Sequence, residues 1–271
     1  MVQKVFRFLV PIVLLPNLVS FLGYPPVQKA LVNPSHIALA KLYNKGLISH
    51  ILTQNVDDLH EKAFKKLRIV TPPVTALHGS LSTVQCLTCH ELFSRESFQN
   101  FLIDLNPDWE ILLELDQSLI NTNPDGDVEY PISQKLGNLS YQNFRYPACS
   151  VCVDNNKNVL IDSEGAWQGG SDGIIKPSVT FFGENISSKI KETAESLSEQ
   201  AGQLLIIGSS LATYSAFRIA KNFKTDSKNI AIVNWGGSVR EESNLVTPGS
   251  GDLRIWYKSD DLLLNSLDIL P

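Results

Sequence analysis

Leu204-Leu205-Ile206-Ile207-Gly208-Ser209-Ser210-Leu211 decides the fold. Four long or branched aliphatic side chains in succession, without polar alternation, fit a strand covered on both faces. The Gly-Ser-Ser that follows ends the strand in a turn of small residues. Such a turn lets backbone N–H groups and hydroxyls approach a phosphate at the start of the next helix. Many strand–helix turns are small and polar for no other reason, so this stretch alone fixes the strand and not the ligand. Two further runs have the same character: Leu47-Ile48-Ser49-His50-Ile51-Leu52-Thr53 and Ile230-Ala231-Ile232-Val233-Asn234. Helical patterns accompany the runs: Ser35–Tyr43 precedes the first, Lys189–Gln200 precedes the second, and Tyr214–Phe223 separates the second from the third. Alternating strand and helix predicts an open, doubly wound, mostly parallel α/β sheet with ligand sites at the carboxyl ends of its strands.

Between about Leu81 and Gly173 the texture changes. All four cysteines lie there, in two Cys-x-x-Cys pairs, Cys86/Cys89 and Cys149/Cys152. Two thiolates three positions apart fold over one ion, and a second pair completes a tetrahedral shell, the geometry of a closed structural Zn²⁺ site. Two disulfides, or four unconnected thiols, are the other readings. Disulfides belong to oxidising compartments and small secreted domains, so zinc is favoured. A full thiolate shell leaves no open coordination position, so the metal holds structure. The pairs bracket a polar, helix-leaning segment with Asn106-Pro107-Asp108-Trp109 and the turn-rich Asn123-Pro124-Asp125-Gly126-Asp127, and Val153 to Ser171 reads as a surface loop. The predicted organisation is a nucleotide-type α/β domain over 1–80 and 174–271, with 81–173 as a small zinc-binding module.

Hydrophobic content of 43% and charged content of 19% over 271 residues are those of a folded chain. A formal net charge of −5 argues against a nucleic-acid surface and is compatible with cationic peptide substrates. Residues 1–22 form an atypical apolar start, and no Asp or Glu precedes Asp57. A signal peptide or anchor, an organelle transit peptide and an ordinary buried segment all stay open here. Pro11 and Pro16 break the run, no clean cleavage site follows it, and the Arg/Ser richness of a transit peptide is missing. No other span is long and apolar enough to cross a membrane.

Several stretches carry groups suited to chemistry. The first strand runs into Thr53-Gln54-Asn55-Val56-Asp57-Asp58-Leu59-His60, whose amides and carboxylates suit a polar ligand. Asn55 or Asp57 serves equally well as a cap for the helix starting near Leu59. Ala76-Leu77-His78-Gly79-Ser80 offers a general base near neutral pH, although a lone His is more often a hydrogen-bonded structural residue. Lys176-Pro177-Ser178-Val179-Thr180-Phe181-Phe182-Gly183-Glu184 suits pairing with an extended peptide, or burial as a core strand. Asn234-Trp235-Gly236-Gly237 is placed to meet a ribose.

Taken in order, TQNVDDLH, LHGS, the two Cys-x-x-Cys pairs, KPSVTFFGE, GSSL and NWG closely resemble the sirtuin family, from about Thr53 to the carboxyl end. NPSHIAL at Asn33–Leu39 and NPDGDV at Asn123–Val128 look most like the mitochondrial class II branch. The resemblance implies a Rossmann-like NAD-binding domain, NAD⁺-dependent removal of acyl groups from lysine, and ADP-ribosyl transfer as a possible second activity. By the same resemblance, Gln54 and Asn55 bind the nicotinamide-side ribose, Asp57 holds the carboxamide and His78 is the general base. Asn55 and Asp57 complete the catalytic set. Gly208, Ser209 and Ser210 contact phosphate or ribose, Asn234 the adenine ribose, and Ser259 stands where the family often has a Cys whose backbone meets adenine. Val179, Phe181, Phe182, Gly183 and Glu184 line the acyl-lysine channel. The implied cofactors are NAD and one structural zinc, and the implied partners are acylated lysines of proteins. A monomer in the mitochondrion, without nucleic-acid or membrane partners, is the expectation.

The pattern departs from the family at its start. Neither the Gly-Ala-Gly-x-Ser turn nor the Gly-x-x-Asp-Phe-Arg segment that usually follows occurs in the chain, whose first glycine is Gly23. A doubly wound sheet without its first strand loses a central element. Weak NAD⁺ binding, or an incomplete version of a longer protein through a misassigned start or exon, is therefore expected. The rival expectation is a non-catalytic, zinc-containing sirtuin shell that has lost cofactor capture. A zinc-ribbon nucleic-acid binder is a third, opposed by the acidic balance.

Overall fold

The structure, a computed structural model, describes residues 14–113, 121–122, 128–129, 143–155, 157–181, 183–225 and 228–269. In chain order the strands are β1 (Ile51–Thr53), β2 (Val74–Ala76), β3 (Gly79–Cys86), β4 (Leu92–Ser94), β5 (Asn121–Thr122), β6 (Val128–Glu129), β7 (Ile175–Val179), β8 (Gln203–Ile207), β9 (Asn229–Val233) and β10 (Leu253–Ile255). The chain forms two compact units, one from Met1–Lys29 with Ser80–Val179 and one from Ala30–Gly79 with Thr180–Pro271. Contacts thus divide the stretch 1–80 between the two units.

The second unit holds the parallel strands. β8, β9 and β10 form one sheet in the order β10-β9-β8, with Leu204 opposite Ile230 and Leu253 opposite Ala231. β1 and β2 form a second parallel pair, Ile51 opposite Val74 and Thr53 opposite Ala76. Helix Tyr214–Thr225 turns Ala216, Phe217, Ile219, Ala220 and Phe223 inward at helical spacing, where they meet Ile206, Ile230 and Ile232. Each large side chain buried there stabilises by roughly 1.5–3 kcal/mol. The first apolar run supplies less strand than expected, because β1 starts at Ile51 and not at Leu47. Helix Pro34–Asn44 ends in a Schellman-type turn, Leu47 N–H to Leu42 O at 3.0 Å and Gly46 N–H to Tyr43 O at 2.8 Å. Gly46 takes φ +74°, and the next residues serve to leave the helix.

Asp252 pins the far side of the β8–β10 sheet. Its carboxylate accepts from Ile230 N and Thr247 N, both at 2.9 Å, from Ser250 Oγ, and from the Lys224 ammonium. Burial pushes its pKa up, but these donors outweigh burial and hold the carboxyl well below the usual range. Helix Ser259–Ile269 packs on helix Pro34–Asn44 through Ala38, Leu42 and Leu263.

The first unit is built on an aromatic core. Phe144 meets Phe21, Trp109 and Tyr146 edge-on, with ring centroids 5.2, 5.2 and 5.1 Å apart. Its sheet has the order β4-β3-β7. Helix Leu14–Lys29 runs on through Pro25 and Pro26, and its Phe21 and Leu22 are buried in this core. Arg95, fully buried, donates to the Ser20 carbonyl and hydroxyl at 3.0 and 3.1 Å and lies 4.5 Å over the Tyr24 ring. Among the described residues no helix is long and apolar enough to cross a membrane.

Candidate functional site

The carboxyl ends of β1, β2 and β8 bring together three of the residues singled out in the sequence. Gln54, the residue after β1, donates its amide to Ser209 Oγ at 2.7 Å and accepts from Thr213 Oγ1 at 2.8 Å. His78, two residues after β2, places Nδ1 3.2 Å from the Gln54 carbonyl oxygen and Nε2 3.1 Å from Ser215 Oγ. A carbonyl oxygen only accepts, so Nδ1 carries a proton, and in the neutral ring Nε2 then presents its lone pair to the Ser215 hydroxyl. That is the tautomer of a general base. The imidazole is held at both nitrogens, so the structural and catalytic readings of His78 are compatible.

The turn after β8 is shaped by backbone conformation. Gly208 adopts φ +61°, open to glycine without strain, and its N–H donates to Val233 O at 2.9 Å. Ser209 Oγ accepts from Leu211 N at 3.1 Å, and Ser210 O accepts from Arg240 N at 2.9 Å. The Arg240 guanidinium donates to Ala212 O at 3.3 Å, which sets a cation beside the turn. Thr213, Ser215 and Arg240 are absent from the sequence reading. The hydroxyl-rich run Ser209-Ser210-Leu211-Ala212-Thr213-Tyr214-Ser215 was the only signal for the first two, and nothing local marks Arg240. Asn234 follows β9, and its N–H donates to Ile255 O at 3.1 Å. The amide, imidazole and hydroxyls gathered at these strand ends are donors and acceptors of the kind a ribose or phosphate needs. The glycine turn expected to cradle a dinucleotide's pyrophosphate is missing from the sequence.

The structure separates other expected residues from this network. The Asn55 side chain is exposed, and its backbone N–H donates to Thr53 Oγ1 at 3.1 Å. Asp57 Oδ1 accepts from Leu59 N at 3.0 Å at the entry to helix Leu59–Lys66. It also lies near His36 and His60, whose rings meet edge-on at 4.7 Å. Ser259 Oγ pairs with Ser35 Oγ at 3.2 Å, and Ser35 also bonds Asp260. On the expected substrate stretch, Val179 closes β7 in the first unit. In the second unit Thr180 N–H donates to His78 O at 2.8 Å. The strand stops there: Gly183 takes φ +90°, and the Phe181 N–H donates to the Glu184 carboxylate at 3.0 Å while Glu184 N–H returns to Phe181 O at 2.9 Å. Phe182 lies outside the described residues.

The histidine pair makes stability depend on pH. Burial and the neighbouring His36 lower the His60 pKa to about 4, against a smaller upward pull from Asp57. Burial lowers His36 as well. The unfolded chain therefore binds protons that the folded chain refuses, and the stability contribution is complete above about pH 6.5 and lost as pH falls toward 4. For His60 the loss is roughly 2–3 kcal/mol. The urea midpoint should fall between pH 7 and 5, and His60→Gln should flatten that dependence. Glu61, raised by burial, acts in the opposite direction and stays in both proteins.

In the first unit the four cysteines converge. Cys86 and Cys152 sulfurs are 3.6 Å apart, Cys89 and Cys149 likewise, and all four lie within 4.8 Å of one another. None forms a disulfide. A tetrahedron with Zn–S of about 2.3 Å has sulfurs about 3.8 Å apart, so the donor set fits one zinc ion. Burial pushes the Cys149 thiol up to about 11, and a divalent cation is what stabilises thiolates in such a place. Thr88 N–H points at Cys86 Sγ at 3.4 Å. Gly173, at φ +82°, brings the second pair into register: Cys149 N donates to its carbonyl at 2.8 Å, and an added Cβ would meet Val159 at 3.0 Å.

A parallel α/β unit with a polar carboxyl edge, joined in sequence to a four-cysteine module, defines a zinc-stapled nucleotide-type α/β protein. The family model described as "Sir2 family" matches residues 19–215, more than half of the chain. The chain belongs to the Sir2 family. It is 35% identical over 226 residues to "NAD-dependent protein deacylase SIR4" of Batrachochytrium dendrobatidis, covering 80% of this chain and 64% of that protein. It is 33% identical over 226 residues to "NAD-dependent protein deacylase SRT2" of Arabidopsis thaliana, covering 80% and 52%. The chain thus spans less than two thirds of the length of these relatives. Among solved structures, "Sir2-p53 peptide-NAD+" aligns with a TM-score of 0.56 at 20% identity, over 90% of this chain and 72% of that one. A Sir2 complex with the inhibitor EX-527 aligns at 0.58 and 20% identity, over 94% and 84%. These likenesses establish the fold.

Proposed function

We propose that the chain is an NAD⁺-dependent protein lysine deacylase of the sirtuin type, closest to the class II branch, with ADP-ribosyl transfer as a second activity. One observation carries the reading: His78 is held with Nδ1 protonated and Nε2 aimed at a hydroxyl, beside an amide and a Gly-Ser-Ser turn, where the carboxyl ends of β1, β2 and β8 meet. The names of the relatives, deacylases and deacetylases dependent on NAD, support it. When bound, NAD⁺ supplies an electrophilic anomeric carbon and nicotinamide as leaving group. Gln54 would hold a ribose through its amide, and Gly208, Ser209 and Ser210 would meet phosphate or ribose. His78 Nε2 would take a proton from a ribose hydroxyl, in the place now filled by the Ser215 hydroxyl. Asn234 and Ser259 would serve the adenosine end, and Val179, Phe181, Gly183 and Glu184 the acyl-lysine. The four cysteines would keep one zinc for structure alone. We further propose that the chain is a monomer and works in the mitochondrion, on the strength of the branch resemblance.

The test is nicotinamide release from NAD⁺ by the purified chain, with and without acetyl-lysine and longer acyl-lysine peptides. Release that requires an acylated peptide is expected. Zinc at one per chain, with no nicotinamide released and no calorimetric heat on adding NAD⁺, would leave only a non-catalytic shell.

A further inference from the structure

We infer that the surface carrying Lys62, Lys65, Lys66 and Arg68, with Leu31 and Val70, docks on an anionic lipid membrane. The chain as a whole is acidic, at −5, yet residues 1–76 hold nine of its 23 Lys and Arg and three of its 28 Asp and Glu. Helix Leu59–Lys66 turns Leu59, Ala63 and Phe64 inward and leaves Lys62, Lys65 and Lys66 on its other side. Those three lysines line one open hollow together with Ala30, Leu31 and Val32. Glu61 is the one acid on the helix. Neither the lysines nor Arg68 forms an ion pair with a described residue.

A helix carboxyl end favours lysines by its dipole alone, and two further features exceed that account. Arg68 takes φ +62° where the helix closes in a Schellman-type turn, its N–H on Lys65 O at 2.9 Å and the Ile69 N–H on Phe64 O at 3.1 Å. That place suits glycine, so an arginine there keeps its charge at the cost of backbone strain. Leu31 and Val70, 84% and 90% exposed, are the two most exposed large apolar side chains among the described residues. Their neighbours Val32 and Ile69 pack against Ala40, Ala63 and Phe64, so the core is complete without them. Aliphatic tips among unpaired cations match a headgroup layer: the cations meet lipid phosphates and carboxylates, and the tips enter the acyl boundary. A nucleic acid would use the charge and leave the aliphatic tips in water. Such a contact lies on the bilayer and needs no spanning helix, and it replaces the expectation of no membrane partner.

The test is co-sedimentation of the full chain with vesicles of phosphatidylcholine alone, and of phosphatidylcholine and phosphatidylserine in equal parts, across a salt series. Wild type should bind the mixed vesicles, ignore the neutral ones and be released as salt rises. Combining Lys62→Gln, Lys65→Gln and Lys66→Gln should lower partitioning about a hundredfold, at about fivefold per charge. Leu31→Ser should lower it about tenfold, through loss of the inserted aliphatic tip. Lys189→Gln, on helix Ser188–Gln200, should bind as wild type does. No binding of wild type to the mixed vesicles overturns the proposal, and so does full binding by the triple variant. Binding of poly-glutamate, with the mixed vesicles ignored, assigns the surface to an acidic protein and overturns it likewise. Thermal melting confirms that the exposed substitutions leave the fold in place. Nicotinamide release should be the same in the triple variant and wild type, so this inference and the deacylase reading fail separately.

Discussion

Cys149→Ala should purify with its zinc content fallen from one per chain to near zero, and with the cysteine unit loosened. Cys149 is buried, its sulfur lies 3.6 Å from that of Cys89, and its N–H is spent on Gly173 O. Removing one thiolate leaves three ligands and an open corner, and an adjacent cavity where the sulfur was. Structural zinc contributes about 10–16 kcal/mol to small metal-organised folds, comparable to the whole stability of a typical domain. The aromatic core around Phe144 keeps part of the unit collapsed, so the expected product is a chain with native-like helix content and weakened near-ultraviolet signal. Elemental analysis and release of zinc to a colorimetric chelator give the stoichiometry. Thiol titration should then find three reactive cysteines in the variant and few in the wild type. A variant that retains one tightly held zinc excludes Cys149 as a ligand.

His78→Ala should reduce nicotinamide release by two to four orders of magnitude, the usual worth of a positioned general base. The substitution deletes both the Nδ1 contact to Gln54 O and the Nε2 contact to Ser215. Gln54 keeps its side-chain bonds to Ser209 and Thr213, so the surrounding turn should survive. Zinc content and melting temperature should therefore stay near wild type while turnover disappears. Ser215→Ala gives a graded comparison: it removes a partner of Nε2 but not the base, and should leave most of the activity. Full turnover in His78→Ala would assign proton abstraction to another group.

The parts of this molecule read correctly from sequence are those in which one chemical property repeats or is spaced. Aliphatic runs ending in small residues gave β8 and β9 nearly to the residue, but β8 is not covered on both faces as its composition implies, because Leu205 is 44% exposed while Ile206 is buried. Four sulfurs in two pairs gave their own convergence. Gln54, His78 and Ser209 were nominated from motifs, and the geometry joins them. What was illegible is tertiary. No local feature distinguishes Asp57, capping Leu59 near the histidine pair, from a ligand-facing acid. Arg240 reaches the Ser210 turn only because the intervening chain doubles back. The length of β1 was overread because a Schellman-type turn at Gly46 uses residues that are as apolar as a strand.

The two cysteine pairs carry a consequence for how such chains can change. Cys89 and Cys149 are sixty positions apart, yet their sulfurs nearly touch. The excursion between them leaves and returns through the same knot, and each doubling of a flexible excursion adds only about 0.6 kcal/mol of closure entropy. Loop length added within that interval, away from Arg95, Trp109, Phe144 and Tyr146 of the aromatic core, is therefore a nearly free variable. Lineages can lengthen or trim it, and so remodel that region, while the knot at its base stays fixed.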